Sequence, residues 1–191
     1  MRELYLYPPS NEDLKPERIW NYELSWKHRP GKFIYGVNLY YIKGDNMIQT
    51  VRIDGKPHNV NTGVIENSGV EMELTGHAND YWRITTNHSF LHMRNKVLAS
   101  PEYKGYLGAD FRYRRWMTNA GLQYINGLYK EVGANEQKED FCLLNASVNF
   151  AVTKGLSLWV RGENLLDQDY EILSGYPMPG ATFMGGVNVR F

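Results

Sequence analysis

Five histidines (His28, His58, His77, His88 and His92) and two closely spaced carboxylates, Glu71 and Glu73, are the residues here whose types could do chemistry. His88 and His92 stand at ligand spacing only on a helix. On a strand they share a face about 13 Å apart, too far to hold one ion. Glu71 and Glu73 share a strand face and could work as an acid–base pair, but no nucleophile or histidine stands beside them. Asp45-Asn46 and Asp167/Asp169 offer oxygen ligands without the spacing of a calcium loop. The single cysteine, Cys142, excludes an internal disulfide framework and a multi-cysteine zinc site. It reads as a small buried or lipid-facing residue. The expectation is a protein that is not an enzyme, with no catalytic residue, metal site or cofactor.

The elements that carry these residues are strands. In RIWNYELSWKH, Trp20, Tyr22, Leu24 and Trp26 alternate with Asn21, Glu23, Ser25 and Lys27, a period of two that a helix would scatter. RPGK makes a tight turn, and Phe33, Tyr35, Val37, Leu39 and Tyr41 then share a face. NSGVEMEL sets Val70, Met72 and Leu74 against Glu71 and Glu73, and YWRITTNHSF sets Trp82, Ile84 and Phe90 against Arg83, Thr85, Asn87 and Ser89. The alternation continues through Leu107, Ala109, Phe111 and Tyr113, then Trp116, Ala120, Leu122 and Tyr124. It resumes with Leu144, Ala146, Val148, Phe150 and Val152, then Leu158 and Val160, and ends with Phe183, Val187, Val189 and Phe191.

That pattern predicts about nine strands joined by connections that alternate short and long, the rhythm of a membrane barrel with tight turns on one side. The long connections fall at residues 43–66, 95–103, 130–140 and 166–179. Equal totals of 21 basic and 21 acidic residues give a net charge of zero, which argues against nucleic acid as a partner. Mean hydropathy is negative and no run of 18 apolar residues exists, which rules out a membrane helix but not a membrane strand. Aromatic residues reach 14%, and Trp26, Phe33, Tyr41, Trp82, Tyr113, Trp116 and Phe191 lie at strand ends, where an interfacial girdle would put them. The opening MRELYLYPPS holds no apolar core of an export signal. Periodicity alone does not separate a barrel wall from a soluble sandwich.

Both ends of the chain resemble the C-terminal part of a TonB-dependent outer-membrane receptor. In YPPSNEDLKPERIWNYELSWKH, residues Asn11, Leu14, Lys15, Pro16, Glu17, Asn21, Tyr22 and Glu23 resemble the family's run into a barrel strand, and NSGVEMEL resembles an internal one. The closing stretch is similar through Asn164, Leu165, Asp167, Tyr170, Gly175, Tyr176, Pro177, Pro179, Gly180 and Phe191, all expected to be structural. The resemblance implies the last nine or so strands of a barrel of about 22, all-β and antiparallel, in the outer membrane of a Gram-negative bacterium. On that reading residues 1–191 are the C-terminal portion of the barrel, with neither plug domain nor signal peptide.

A complete member takes up a scarce small-molecule cargo of the ferric siderophore, haem or cobalamin class, powered by the TonB complex through its plug. The implied partners are outer-membrane lipid, the remaining barrel and plug, the TonB complex, the barrel-assembly machinery (which reads the terminal aromatic) and the cargo. Ligand contacts are expected in the loops near His58, Asn59 and Glu136. Two other readings stand beside this one: a small autonomous outer-membrane barrel with a structural, adhesive or lipid-modifying role, and a soluble β-sandwich binding module.

Overall fold

The computed structural model describes residues 11–53 and 56–190, so Phe191 and the first residues of the opening motif lie outside it. Among the described residues eleven strands follow one another: β1 Arg18–His28, β2 Phe33–Ile53, β3 Lys56–His77, β4 Trp82–Met93, β5 Tyr103–Tyr113, β6 Trp116–Glu131, β7 Gln137–Ala151, β8 Leu156–Glu163, β9 Glu171–Leu173, β10 Tyr176–Pro177 and β11 Thr182–Val189. Nine of them make one sheet in the order β1-β2-β3-β4-β5-β6-β7-β8-β11, each pairing antiparallel with its neighbour; β9 and β10 form a separate small hairpin. Among the described residues β1 and β11 are not paired, so the sheet is open.

The pairing registers carry the two faces unbroken across the sheet. Lys27, Gly36, Glu73, Asn87, Tyr106, Gln123 and Leu143 stand in one row, and Ser25, Asn38, Glu71, Ser89, Lys104, Ile125 and Phe141 in the next row on that face. Between them runs a row of the opposite face: Trp26, Val37, Met72, His88, Gly105, Tyr124 and Cys142. A slip of one residue in any pair would exchange the faces, so the match across seven strands means that every strand obeys the same partition.

The apolar face carries rings in two bands. At the tight-turn rim Trp26 stacks on His28, Trp82 meets Phe111 at 4.8 Å, Tyr81 meets Tyr113 at 5.1 Å, and Trp116 meets Phe150 at 4.6 Å. Toward the other rim Tyr22 lies beside Tyr41, and Phe90, Tyr103 and Tyr124 form a chain of contacts. From Phe33 to Tyr41 is about 27 Å along the strand. Tilted by about 40°, that becomes roughly 20 Å, close to the apolar band of an outer-membrane barrel. Leu24 and Leu107, between the bands, are 69% and 52% exposed, so no other layer of the described residues covers them.

Three expected loops are reshaped. Residues 43–66 are not a loop: β2 runs on to Ile53 and β3 starts at Lys56, with bulges between Gly44 and Ile48. The mainly polar segment 11–15 lines this extension through hydrogen bonds to Asn59 and Asn61, so its pairing carries no apolar alternation and its sequence does not read as strand. The 130–140 connection shrinks to residues 132–136, and 166–179 contains the β9–β10 hairpin. The 95–103 connection, by contrast, runs from Arg94 to Glu102 as an irregular segment.

Candidate functional site

The polar face is a wall of paired groups. Lys27 Nζ meets Glu73 Oε1 at 2.5 Å, Ser25 Oγ donates to Asn38 Oδ1 at 2.7 Å, and Asn38 Nδ2 donates to Glu71 Oε2 at 3.4 Å. Thus Glu71 faces an amide and Glu73 an ammonium. These side chains border a hollow of about 750 Å³ that reaches Lys104, Tyr106 and Gln123. Tyr106 lies flat because Gly108 and Gly121 leave it room; a Cβ on either would come within 2.6 or 2.7 Å of its hydroxyl. Nearer the tight turns, His77, Arg83, Asp110, Arg112 and Asn119 line a second hollow of about 420 Å³.

At the opposite rim the connections are stitched to the sheet. Tyr129 is wholly buried, and its hydroxyl donates to Glu102 Oε1 at 2.5 Å. Lys138 Nζ meets the same oxygen at 3.0 Å and Lys96 Nζ at 3.5 Å, and both ammonium groups lie over the Tyr129 ring, 4.7 and 5.0 Å from its centre. The Tyr129 hydroxyl, then Lys138, hold the Glu102 carboxyl down at about 2, and Lys138 is raised in turn by Tyr129 and Glu102. The backbone follows: Ala99 N donates to Tyr129 O, and Glu102 N to Gly127 O.

The last rim connection, 164–181, is held at root and tip. Asn164 is buried with a left-handed φ of 49°; its Nδ2 donates to Gln168 O and Pro179 O while its Oδ1 accepts from Gln168 N. Asp167 Oδ1 accepts from Ala181 N at 2.8 Å, and a Cβ on Gly180 would come within 2.6 Å of that oxygen. Leu165 N donates to Leu144 O, and its side chain covers Gly162. The Tyr170 ring lies tilted against Phe141, their centres 4.3 Å apart, and Ile172 packs against the buried Ile125, Leu128 and Phe141. Gly175 turns the hairpin at φ 80°, Pro177 pairs with Glu171, and Tyr176 is 70% exposed.

The residues singled out for ligand contact are dispersed. His58 and Asn59 sit in β3, opposite Val51 and Thr50, not in a loop. Asn59 is buried: its side chain accepts from Thr50 Oγ1, and its carbonyl accepts from Asn11 Nδ2. With Asn61, which exchanges two hydrogen bonds with the Lys15 backbone, it binds residues 11–15 along the hairpin. Glu136 lies exposed in the 132–136 turn. His88 and Cys142 belong to the apolar face, where His88 Nδ1 lies 2.7 Å from the Tyr103 hydroxyl. Asp45 pairs in register with Arg18, and Asn46 turns a bulge at φ 58°. Sequence reading missed Tyr129, Lys130, Lys96 and Glu102, whose partners come together only through bulges in β6 and long-range pairing.

A sheet with one ring-banded apolar face, one polar face, tight turns at one rim and built loops at the other is the wall of a transmembrane β-barrel. The sequence matches the family described as TonB dependent receptor-like, beta-barrel over residues 1–165, and the chain belongs to that family. It is 20% identical over 201 residues to the vitamin B12 transporter BtuB of Photobacterium profundum, covering 99% of this chain and 33% of BtuB. Among solved structures it resembles the copper transporter OprC (TM-score 0.81, 15% identity, 99% of this chain and 35% of OprC). It also resembles a variant of the ferric enterobactin receptor PfeA from Pseudomonas aeruginosa bound to enterobactin (TM-score 0.77, 17% identity, 94% and 32%). The chain thus spans about a third of the length of these proteins.

Proposed function

We propose that residues 1–191 form the C-terminal portion of the barrel of an outer-membrane receptor that imports a scarce ligand of the ferric siderophore, haem or cobalamin class. The rest of the receptor supplies the other strands and the plug, and the TonB complex supplies the energy. The cargo leaves chemically unchanged. One observation carries this reading: the unbroken partition of faces across seven neighbouring strands, which gives lipid one side and an aqueous lumen the other. The names of two related proteins, a vitamin B12 transporter and a ferric enterobactin receptor, support the cobalamin and siderophore part of that class.

In this scheme ligand selectivity comes from the rim, namely the β2–β3 extension, residues 94–102, the 132–136 turn with Glu136, and the loop bearing Tyr176. A small autonomous barrel fits less well. The described residues form a sheet of nine strands, an odd number, so β1 and β11 run parallel and could not close in the antiparallel manner of the other pairs. The test is uptake of labelled ferric siderophores, haem and cobalamin by cells whose own receptors are deleted and which express the whole receptor, with and without a proton-gradient uncoupler. Surface binding that survives the uncoupler while accumulation stops is expected. Accumulation insensitive to the uncoupler, or binding of none of the three classes, would overturn the assignment.

A further inference from the structure

We propose that Lys130 is an electrostatic latch that keeps the last rim loop, residues 164–181, folded inward as a fixed sill of the lumen mouth. The Lys130 ammonium stands between two carboxylates, at 2.8 Å from Glu139 Oε2 on β7 and 3.1 Å from Glu171 Oε2 on β9. All three side chains are less than a third exposed, so solvent screens them less than an ordinary surface pair. The same residue holds the hairpin by its backbone, since its carbonyl accepts from Ser174 N at 3.0 Å. Glu171 also accepts, through the same Oε2, from Gly175 N at the turn.

The inward direction follows from the register. Ile125 and Phe141 share the row of Ser25, Asn38, Glu71, Ser89 and Lys104, so Tyr170 and Ile172, which pack on them, lie on the polar side of the sheet. Calling that side a lumen rests on the barrel reading; the latch itself does not. Asn164 secures the root of the loop independently, through Gln168 and Pro179. The hairpin beyond it is held by Lys130 together with a small apolar contact. Loss of the ammonium leaves two carboxylates facing each other without their counter-charge, which pushes β9 off the wall.

Hydrogen exchange on the whole receptor, extracted in detergent from the outer membranes of expressing cells, tests this. In Lys130→Met the Ser174 amide should exchange about ten-fold faster or more, while the Leu165, Gln168 and Ala181 amides and those of the nine-stranded sheet stay unchanged. Lys130→Arg should restore protection, and Glu171→Gln should loosen the same amide, deciding the matter should Lys130→Met fail to assemble. Unaltered Ser174 exchange in a folded Lys130→Met or Glu171→Gln would overturn the latch, as would free-peptide exchange rates in the wild type. A failed transport reading shows itself in the uptake assay, which this measurement does not use.

Discussion

At Glu102 one carboxylate gathers a buried phenol and two lysines, and its acidity reports the arrangement. The depressed value of about 2, against an ordinary 4.5, means that the folded state prefers the ionised form. The resulting stabilisation is complete above pH 4.5, shrinks as pH falls from there toward 2, and is gone below both values. Docking of residues 94–102 should therefore loosen in that acid window, read as faster exchange of the Ala99 and Glu102 amides below about pH 4. Tyr129→Phe removes the first cause of the shift, so the Glu102 carboxyl should titrate closer to 4.5; a carbon-13 titration of the carboxyl that shows no rise would refute this account. Asn164 makes a second residue-scale case. Alanine there loses three hydrogen bonds to backbone while keeping a left-handed φ, and should cost roughly 2–4 kcal/mol in urea unfolding from detergent.

Strands differ in how openly the sequence declares them, and the difference is physical. Where one side faces hydrocarbon and the other water, alternate residues must differ, and β1, the first part of β2, β5 and β7 could be read directly from Trp20 to Trp26, Phe33 to Tyr41, Leu107 to Tyr113 and Leu144 to Phe150. The β2–β3 extension keeps the same backbone pairing but packs against the polar segment 11–15, so KGDN and NVNTG carry no apolar alternation. The rim contacts stayed hidden for another reason. Tyr129 and Glu102 are 27 residues apart, Lys130 and Glu171 are 41 apart, and bulges in β6 decide which of them meet. The face assignment itself yields a paired test. Arginine at Leu107, near the middle of the apolar face, should cost about 2–4 kcal/mol and lower the amount of folded protein in the outer membrane. Arginine at Gln123, on the polar face, should change that amount little. Equal tolerance at both positions would mean that the apolar face does not meet lipid.

Taken as a molecule, the sheet has two edges whose backbone groups lack partners within the described residues: β1, from Arg18 to His28, and β11, from Thr182 to Val189. Inside hydrocarbon each unmatched N–H or C=O costs several kcal/mol, with no water to take the place of a strand. The two edges cannot satisfy each other antiparallel, because an odd number of alternating strands leaves the first and last pointing the same way. On the reading proposed above, strands from the rest of the receptor flank both edges, as the coverage of about a third of each related protein allows. It follows that residues 1–191 expressed alone behind an export signal should not yield a heat-modifiable, protease-resistant species in outer membranes. Co-expression with the remaining strands of the receptor should produce one, since each edge then finds a hydrogen-bonding neighbour. A discrete heat-modifiable monomer formed by these residues unaided would show that the edges close on themselves, and would return the small autonomous barrel to first place.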